Sequence, residues 1–169
     1  MNVIELRQYT LRPGRRDELI DLFHRELLEP QQQAGMTILA TYRDLDDPDR
    51  FVWLRGFRDM STRLKALTTF YNGPVWAKHG PQANATMLDS SNARLLRPLS
   101  QALPLQPSPY VTIKITPGLT NTPNALVTLP EANDFPRLPI RTDKVTVTIT
   151  PHATAPPTAP ATLRLTPTP

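Results

Sequence analysis

The sequence predicts an α+β protein: a ferredoxin-like domain of order βαββαβ, followed by a proline-rich, strand-containing C-terminal extension. Three observations lead to this prediction. The spacing of apolar residues changes between about two and about 3.6 along residues 1–98. Of 20 prolines only five precede Pro98, so residues 99–169 must be built differently. The run 51–57 is apolar on both faces, which is typical of a strand covered on both sides.

The first strand and the first helix are predicted from a change of period. In residues 3–10, Ile4 and Leu6 alternate with Glu5 and Arg7, which indicates a strand with two different faces. A proline–glycine pair ends this strand. From Arg15 the apolar residues follow i, i+3, i+4 spacing, which predicts a helix. Proline cannot continue the backbone hydrogen bonding, so we expect Pro30 to kink or end that helix.

The remaining elements of the first domain, residues 1–98, are identified in the same way. In chain order they are a strand at 36–43, an acidic turn at 44–49, the apolar strand at 51–57, a helix from Asp59 to Tyr71, a short helix at 75–79 closed by Gly80-Pro81, and a strand at 92–97. In a ferredoxin-like sheet the helices cover only one face. The other face needs a second layer, and the usual one is another copy of the chain. The sequence therefore predicts a two-fold homodimer.

Residues 99–169 contain no helical period. Their β-prone segments are separated by loops rich in Pro, Asn and Thr and lie at 110–116, 124–129, 143–150 and 161–165. We interpret this part as a β extension or as a degenerate second ferredoxin-like half, with residues 151–160 partly disordered. A complete second half would allow a barrel within one chain and make the dimer unnecessary.

Composition excludes several function classes. The net charge is +4 with a pI of about 9.8, but the cations are spread evenly and form no basic block, which argues against nucleic-acid binding. The chain has no cysteine, so disulfides and thiolate sites are excluded. The acidic turn at 44–49 lacks the glycine and distal glutamate of a calcium loop, and we expect no metal. With no apolar run of membrane-spanning length and no signal peptide, we expect a cytoplasmic protein without membrane insertion.

Several stretches of the sequence resemble NIPSNAP-family proteins. They are Glu5-Leu6-Arg7-Gln8-Tyr9 with Pro13-Gly14, the run from Asp44 to Phe57, the run from Phe70 to Trp76, Asn84-Ala85-Thr86-Met87, and Leu95-Leu96-Arg97-Pro98. The resemblance covers residues 2–98 and implies a dimeric α/β barrel. Segments 135–141 and 163–168 are similar to the distal part of longer bacterial members. The resemblance implies no agreed catalytic machinery and no cofactor.

One face of the predicted sheet collects polar and aromatic side chains. With Trp76 from the second helical region, the candidate ligand-binding residues are Glu5, Arg7, Tyr9, Trp53, Arg55 and Trp76. One interpretation is a polar floor under a small acidic or aromatic ligand, in which arginine holds a carboxylate with two hydrogen bonds. The other interpretation is a paired charge cluster in a dimer interface, because unpaired buried charges are costly.

Two histidines are candidates for proton transfer. His24 flanks the apolar stripe of the first helix, and His79 lies in the irregular segment after Trp76. A structural role is the alternative for each. The sequence thus supports a NIPSNAP-like barrel of undefined activity that binds a small molecule or a protein. The alternative is a cofactor-free monooxygenase- or isomerase-like enzyme acting on a small aromatic or acidic metabolite, and whether the chain is an enzyme stays open.

Overall fold

The computed structural model describes residues 1–103 and 105–169. In chain order the elements are β1 (Val3–Leu11), α1 (Arg16–Leu22), a π-helical segment (Phe23–Leu27), α2 (Leu28–Gln33), β2 (Thr37–Asp44), β3 (Arg50–Phe57), α3 (Met60–Tyr71), α4 (Pro74–Ala85), β4 (Met87–Pro98), β5 (Tyr110–Pro117), β6 (Leu126–Thr128), β7 (Val145–His152) and β8 (Thr162–Pro167). The eight strands form one closed antiparallel barrel in the order β1-β3-β2-β8-β5-β7-β6-β4. The helices pack against the outer face of β1 and β3.

The predicted fold class, a ferredoxin-like domain followed by an extension, is wrong. The sheet made by residues 1–98 does not end at its outer strands, because β8 hydrogen-bonds β2 and β6 hydrogen-bonds β4. β5 and β7 connect β8 to β6, so the four C-terminal strands close a single barrel with the four N-terminal ones. Closure removes the open edges that a four-stranded sheet would expose. The local sequence pattern shows which segments are strands, but it does not show which strands pair.

The barrel interior is filled by apolar side chains from both parts of the chain. The buried members are Ile4, Leu6, Tyr42, Val52, Leu54, Leu96, Val111, Ile113, Leu126, Val145, Val147, Ile149 and Leu165. Residues 51–57 are all buried, which confirms the prediction that both faces of this strand are covered. Since the inner cover comes from the same chain, the apolar face no longer requires a second copy. The homodimer itself stays a prediction.

The first helical run continues through Pro30. A π-helical segment, Phe23–Leu27, lies just before α2, which contains the proline and ends at Gln33. Proline has no N–H to donate to the carbonyl four residues earlier, so a local change of helical spacing costs little there. The second helical region also exceeds its predicted length, because α4 runs through Gly80-Pro81 to Ala85. Within residues 1–103 and 105–169, no helix has the length and apolar character needed to cross a membrane.

Candidate functional site

Glu5 lies at the centre of a buried charge cluster on the helix-covered face of the sheet. Its Oε2 atom accepts hydrogen bonds from Arg55 Nε at 2.7 Å and from Arg7 Nη1 at 3.0 Å. Its Oε1 atom accepts a hydrogen bond from Arg63 Nε at 2.7 Å. All four side chains are at most 1% exposed. We call Glu5, Arg7, Arg55 and Arg63 the arginine cluster.

Two strands and one helix position the arginine cluster. Glu5 and Arg55 are directly opposed in the β1–β3 register, and Arg7 is two residues further along the same face of β1. Arg63 comes from the first turn of α3. That helix begins at Asp59, whose carboxylate accepts a hydrogen bond from the Thr62 backbone N–H at 2.8 Å. The helix start therefore fixes which residue of α3 meets Glu5.

Aromatic and amide groups surround the arginine cluster. Arg7 Nε donates to the Tyr9 hydroxyl at 3.1 Å, and Arg55 Nη1 donates to Gln31 Oε1 at 3.1 Å and to the Tyr71 hydroxyl at 3.3 Å. The Arg55 guanidinium also lies 5.0 Å from the centre of the Trp53 ring. Guanidinium groups stack favourably on indole rings. These contacts hold Arg55 in one orientation.

Positive charge in the arginine cluster exceeds negative charge. Three guanidinium groups face the single carboxylate of Glu5, and the only further acidic contact among the described residues is Asp134, 2.8 Å from Arg63 Nη1. Three buried donors in this region have no hydrogen-bond partner among the described residues: Arg55 Nη2, Arg63 Nη2 and Trp53 Nε1. Buried polar atoms are normally paired, so these unpaired donors beside excess positive charge leave hydrogen-bonding capacity that an anion would satisfy.

The electrostatics of the site keep Glu5 ionised. Burial alone would raise the pKa of Glu5, but the charges of Arg55, Arg7 and Arg63 outweigh burial and hold that pKa far below its usual range. Burial also raises the pKa of Tyr9, against the opposing effect of Arg7, so its hydroxyl stays protonated near neutral pH. At neutral pH the site therefore presents hydrogen-bond donors around one permanent carboxylate.

Acid should destabilise the fold through Glu5. Because the pKa of Glu5 is lower in the folded chain than its ordinary value of 4.5, its stabilisation is fully present above pH 4.5 and is lost as the pH falls towards the folded value. We expect a smaller free energy of unfolding at pH 3 than at pH 7, measured by urea denaturation. Equal stability at the two pH values would contradict the lowered pKa.

An aromatic-lined cavity lies beside the arginine cluster, between the sheet and the helices. Its volume is about 20 Å³, enough for about one water molecule. Its lining residues are Tyr9, Leu19, Phe23, Leu27, Gln31, Trp53, Phe70, Tyr71, Trp76, Ala83 and Met87. Phe23 and Leu27 belong to the π-helical segment. Such segments occur frequently at functional sites, because they interrupt regular helix packing.

Most residues of the candidate site lie in a part of the chain that matches a protein-family model. The NIPSNAP family model matches residues 4–102, which is more than half of the chain. The chain belongs to the NIPSNAP family. The match ends before β5, so the four strands that complete the barrel lie outside the region that the family model describes. No curated protein sequence matches the chain.

Solved structures of NIPSNAP proteins share the fold of part of this chain. A NIPSNAP family protein from Agrobacterium tumefaciens strain C58 is 19% identical with a TM-score of 0.56, and the match covers 63% of this chain and 100% of that one. A second protein from that strain, described as a NIPSNAP family protein with unknown function, is 17% identical with a TM-score of 0.55, over 62% and 94%. An uncharacterized NIPSNAP-like domain protein from Burkholderia xenovorans is 24% identical with a TM-score of 0.55, over 62% and 91%.

The structure brings the predicted ligand-binding residues together. Glu5, Arg7 and Arg55 form the charged centre, while the three aromatic residues predicted with them line the adjoining cavity: Tyr9, Trp53 and Trp76. Their role in ligand binding stays a prediction. The cluster lies beneath the helices of its own chain and is buried there without a partner. Burial within one chain is a different setting from the dimer interface considered as the structural alternative.

The two candidate histidines do not line the cavity. His24 Nε2 lies 2.8 Å from Thr168 Oγ1 and so connects the π-helical segment to the end of the chain after β8. Burial lowers the pKa of His24, and the nearby charge of Arg43 lowers it further. His79 Nε2 lies 3.3 Å from a carboxylate oxygen of Glu26. These contacts are typical of residues that join helices and strands, and a catalytic role for either histidine stays a prediction.

Sequence reasoning missed Arg63 and the loop residues that contact it. Leu64, the apolar residue next to Arg63, would suit the buried stripe of this helix, but Leu64 is 39% exposed and Arg63 is buried in its place. Arg63, Leu67 and Phe70 follow helical spacing. A search for a buried helical stripe that accepts arginine as well as apolar residues would therefore have identified Arg63. Asn133 and Asp134, which both accept hydrogen bonds from Arg63, come from a distant loop that no local pattern identifies.

Proposed function

We propose that this chain binds a small organic acid through the arginine cluster. The observation that supports this is the excess of buried positive charge together with the unpartnered donors Arg55 Nη2, Arg63 Nη2 and Trp53 Nε1. A carboxylate would supply both the missing negative charge and the missing acceptors. Arginine suits this task because its planar group can donate two parallel hydrogen bonds to one carboxylate.

The surroundings favour an acid with an apolar or aromatic body. The cavity beside the cluster is lined mainly by aromatic and aliphatic side chains, and Trp53, whose indole N–H has no partner among the described residues, is one of them. Ligand sites commonly combine an apolar lining with a few fixed polar groups. The cavity volume of about 20 Å³ is too small for such a body, so binding requires a neighbouring segment to move.

Calorimetric titration with matched acids and amides tests the proposal. Benzoate, phenylacetate and salicylate carry the carboxylate, while benzamide, phenylacetamide and salicylamide keep the ring and lack the charge. We expect heat of binding with at least one acid and none with its amide, because only the acid compensates the guanidinium groups. Failure of all three acids to bind at millimolar concentration would count against the proposed function.

Replacing Arg55 should weaken acid binding while sparing most of the fold. Arg55→Met removes the charge and the unpartnered Nη2 but leaves Glu5 with two arginines. A hydrogen bond to a charged group is worth about 1.5–3 kcal/mol, so we expect at least about tenfold weaker binding of phenylacetate by calorimetry. Arg58→Met is the matched control, because the Arg58 side chain is 81% exposed.

Two further measurements make that comparison decisive. Thermal unfolding of each variant checks that lost binding is not lost folding. Trp53→Phe keeps all three arginines but removes the unpartnered indole N–H together with part of the ring system that Arg55 stacks on, so it should also weaken phenylacetate binding. Unchanged affinity in both Arg55→Met and Trp53→Phe would contradict the assignment of the site.

The enzymatic alternative has less support than ligand binding. A monooxygenase- or isomerase-like reaction needs a group that accepts a proton near neutral pH. The two histidines considered for that role lie outside the cavity, and burial keeps the Tyr9 hydroxyl protonated. The arrangement of donors around a carboxylate is better suited to holding an anion than to moving a proton.

A further inference from the structure

We infer that Asp134 occupies the position of a ligand carboxylate at Arg63, and that a small acid reaches the arginine cluster by displacing it. This inference rests on the proposed function, since it concerns how the same site is filled. The acid would enter from the loop side of the cluster, through an open cleft beneath the segment that joins β6 to β7.

The contacts of Asp134 are those of a replaceable carboxylate. Arg63 Nη1 donates to Asp134 Oδ1 at 2.8 Å and to Asn133 Oδ1 at 3.1 Å, while Arg63 itself is completely buried. The Asp134 side chain is 32% exposed, so it forms the solvent-facing end of an otherwise buried chain of ion pairs. Because an incoming carboxylate would take the place of Asp134, the buried Arg63 guanidinium would keep a charged partner, and the cost of leaving it unpaired would be avoided.

The loop that carries Asp134 is anchored at other residues. Phe135 packs against Tyr71 with ring centres 6.0 Å apart, and Arg137 Nη1 donates to the Tyr71 backbone carbonyl at 3.1 Å. Asn133 is held by its own loop, donating to the Leu138 carbonyl at 2.9 Å. The carboxylate of Asp134 takes no part in these anchors. It can leave Arg63 without detaching the loop from α3.

An open cleft adjoins the loop that carries Asp134. It has a volume of about 280 Å³, compared with about 20 Å³ for the inner cavity, and Asn133 is part of its lining. Leu95, Leu129 and Ile140 give it an apolar wall, while Arg141 and Lys144 contribute positive charge and Glu131 contributes one negative charge. Since Asn133 also contacts Arg63, the cleft and the arginine cluster meet at this residue. The cleft can therefore admit an acid whose carboxylate reaches Arg63.

Removing the charge of Asp134 tests the inference directly. In Asp134→Asn the competing carboxylate is gone, so phenylacetate should bind about fivefold more tightly by calorimetric titration, the gain expected from removing a partly exposed ion pair. Glu29→Gln is the charge-matched control, because Glu29 is an exposed residue of α2 and does not line the cleft. It should change the affinity by less than about twofold, since exposed charges are screened.

The outcomes separate this inference from the proposed function. If phenylacetate, benzoate and salicylate bind neither the unaltered chain nor Asp134→Asn, the proposed function fails and the inference fails with it. If phenylacetate binds the unaltered chain and Asp134→Asn equally, or if Glu29→Gln gains as much, only the inference is overturned. Hydrogen exchange tests the inference without a variant. Saturating phenylacetate should accelerate amide exchange at residues 133–135. Unchanged exchange there would contradict the displacement of Asp134 by the ligand.

Discussion

Ending the chain after residue 102 should abolish the stable monomer. The strands lost by this truncation supply about half of the barrel interior: Val111, Ile113, Leu126, Val145, Val147, Ile149 and Leu165. Each such side chain contributes about 1.5–3 kcal/mol when buried, and together they contribute about 10–20 kcal/mol, which is as large as the total stability of about 5–15 kcal/mol typical of a domain. The remaining sheet would expose an apolar face and either aggregate or pair with another copy. Sedimentation velocity distinguishes these outcomes, and a stable truncated monomer would contradict the argument.

A single substitution in β7 gives a matched version of that test in the full chain. Val147 is fully buried inside the barrel, whereas Thr150 on the same strand is exposed. Val147→Asp should lower the free energy of unfolding by more than about 4 kcal/mol, because it buries an unpaired charge. Thr150→Asp should change it by no more than about 0.5 kcal/mol. Similar effects of both variants in urea denaturation would mean that the C-terminal strands do not enclose the core.

Replacing Glu5 by glutamine should lower the free energy of unfolding by about 3–5 kcal/mol. Removing one member of a buried ion pair leaves an uncompensated buried charge, and here three guanidinium groups would lose their shared carboxylate. The amide of glutamine has nearly the same shape, so the change isolates charge from packing. Urea denaturation at pH 7 measures the effect.

The control for Glu5 is a surface carboxylate with an arginine partner. Glu18 pairs with Arg15 on α1, and both side chains are more than one third exposed, so Glu18→Gln should leave stability essentially unchanged. Adding Arg63→Met to Glu5→Gln should restore part of the lost stability, because it removes one of the stranded charges. If Glu5→Gln lowered the free energy of unfolding by less than about 1 kcal/mol, the stability of the arginine cluster would not depend on its central carboxylate.

Local sequence patterns predicted the elements of the fold but not the way they close. Alternation placed Glu5 and Arg7 on one face of β1 and Ile4 and Leu6 on the other, and the two core clusters divide in this way. The pairing of β8 with β2 could not be found by the same means. It joins residues more than 100 positions apart. The alternation of side chains along each strand is equally compatible with other pairing partners.

The candidate site was predictable where it lies on strands and unpredictable where it depends on tertiary contacts. Glu5 and Arg55 were placed on a common sheet face from parity alone, and they are direct cross-strand partners. Arg63 was missed because an apolar neighbour fits a helical stripe better than a charged residue does. Asp134 was missed because its contact depends on how a loop between β6 and β7 folds back over α3.

The barrel is covered by helices along only one part of its circumference, since the described residues 99–103 and 105–169 contain no helix. A barrel assembled from two identical halves would offer two equivalent sites related by symmetry, which could influence one another. This chain offers a single arginine cluster per barrel. Under the proposed function, saturation at that cluster would therefore approach one equivalent of acid per barrel.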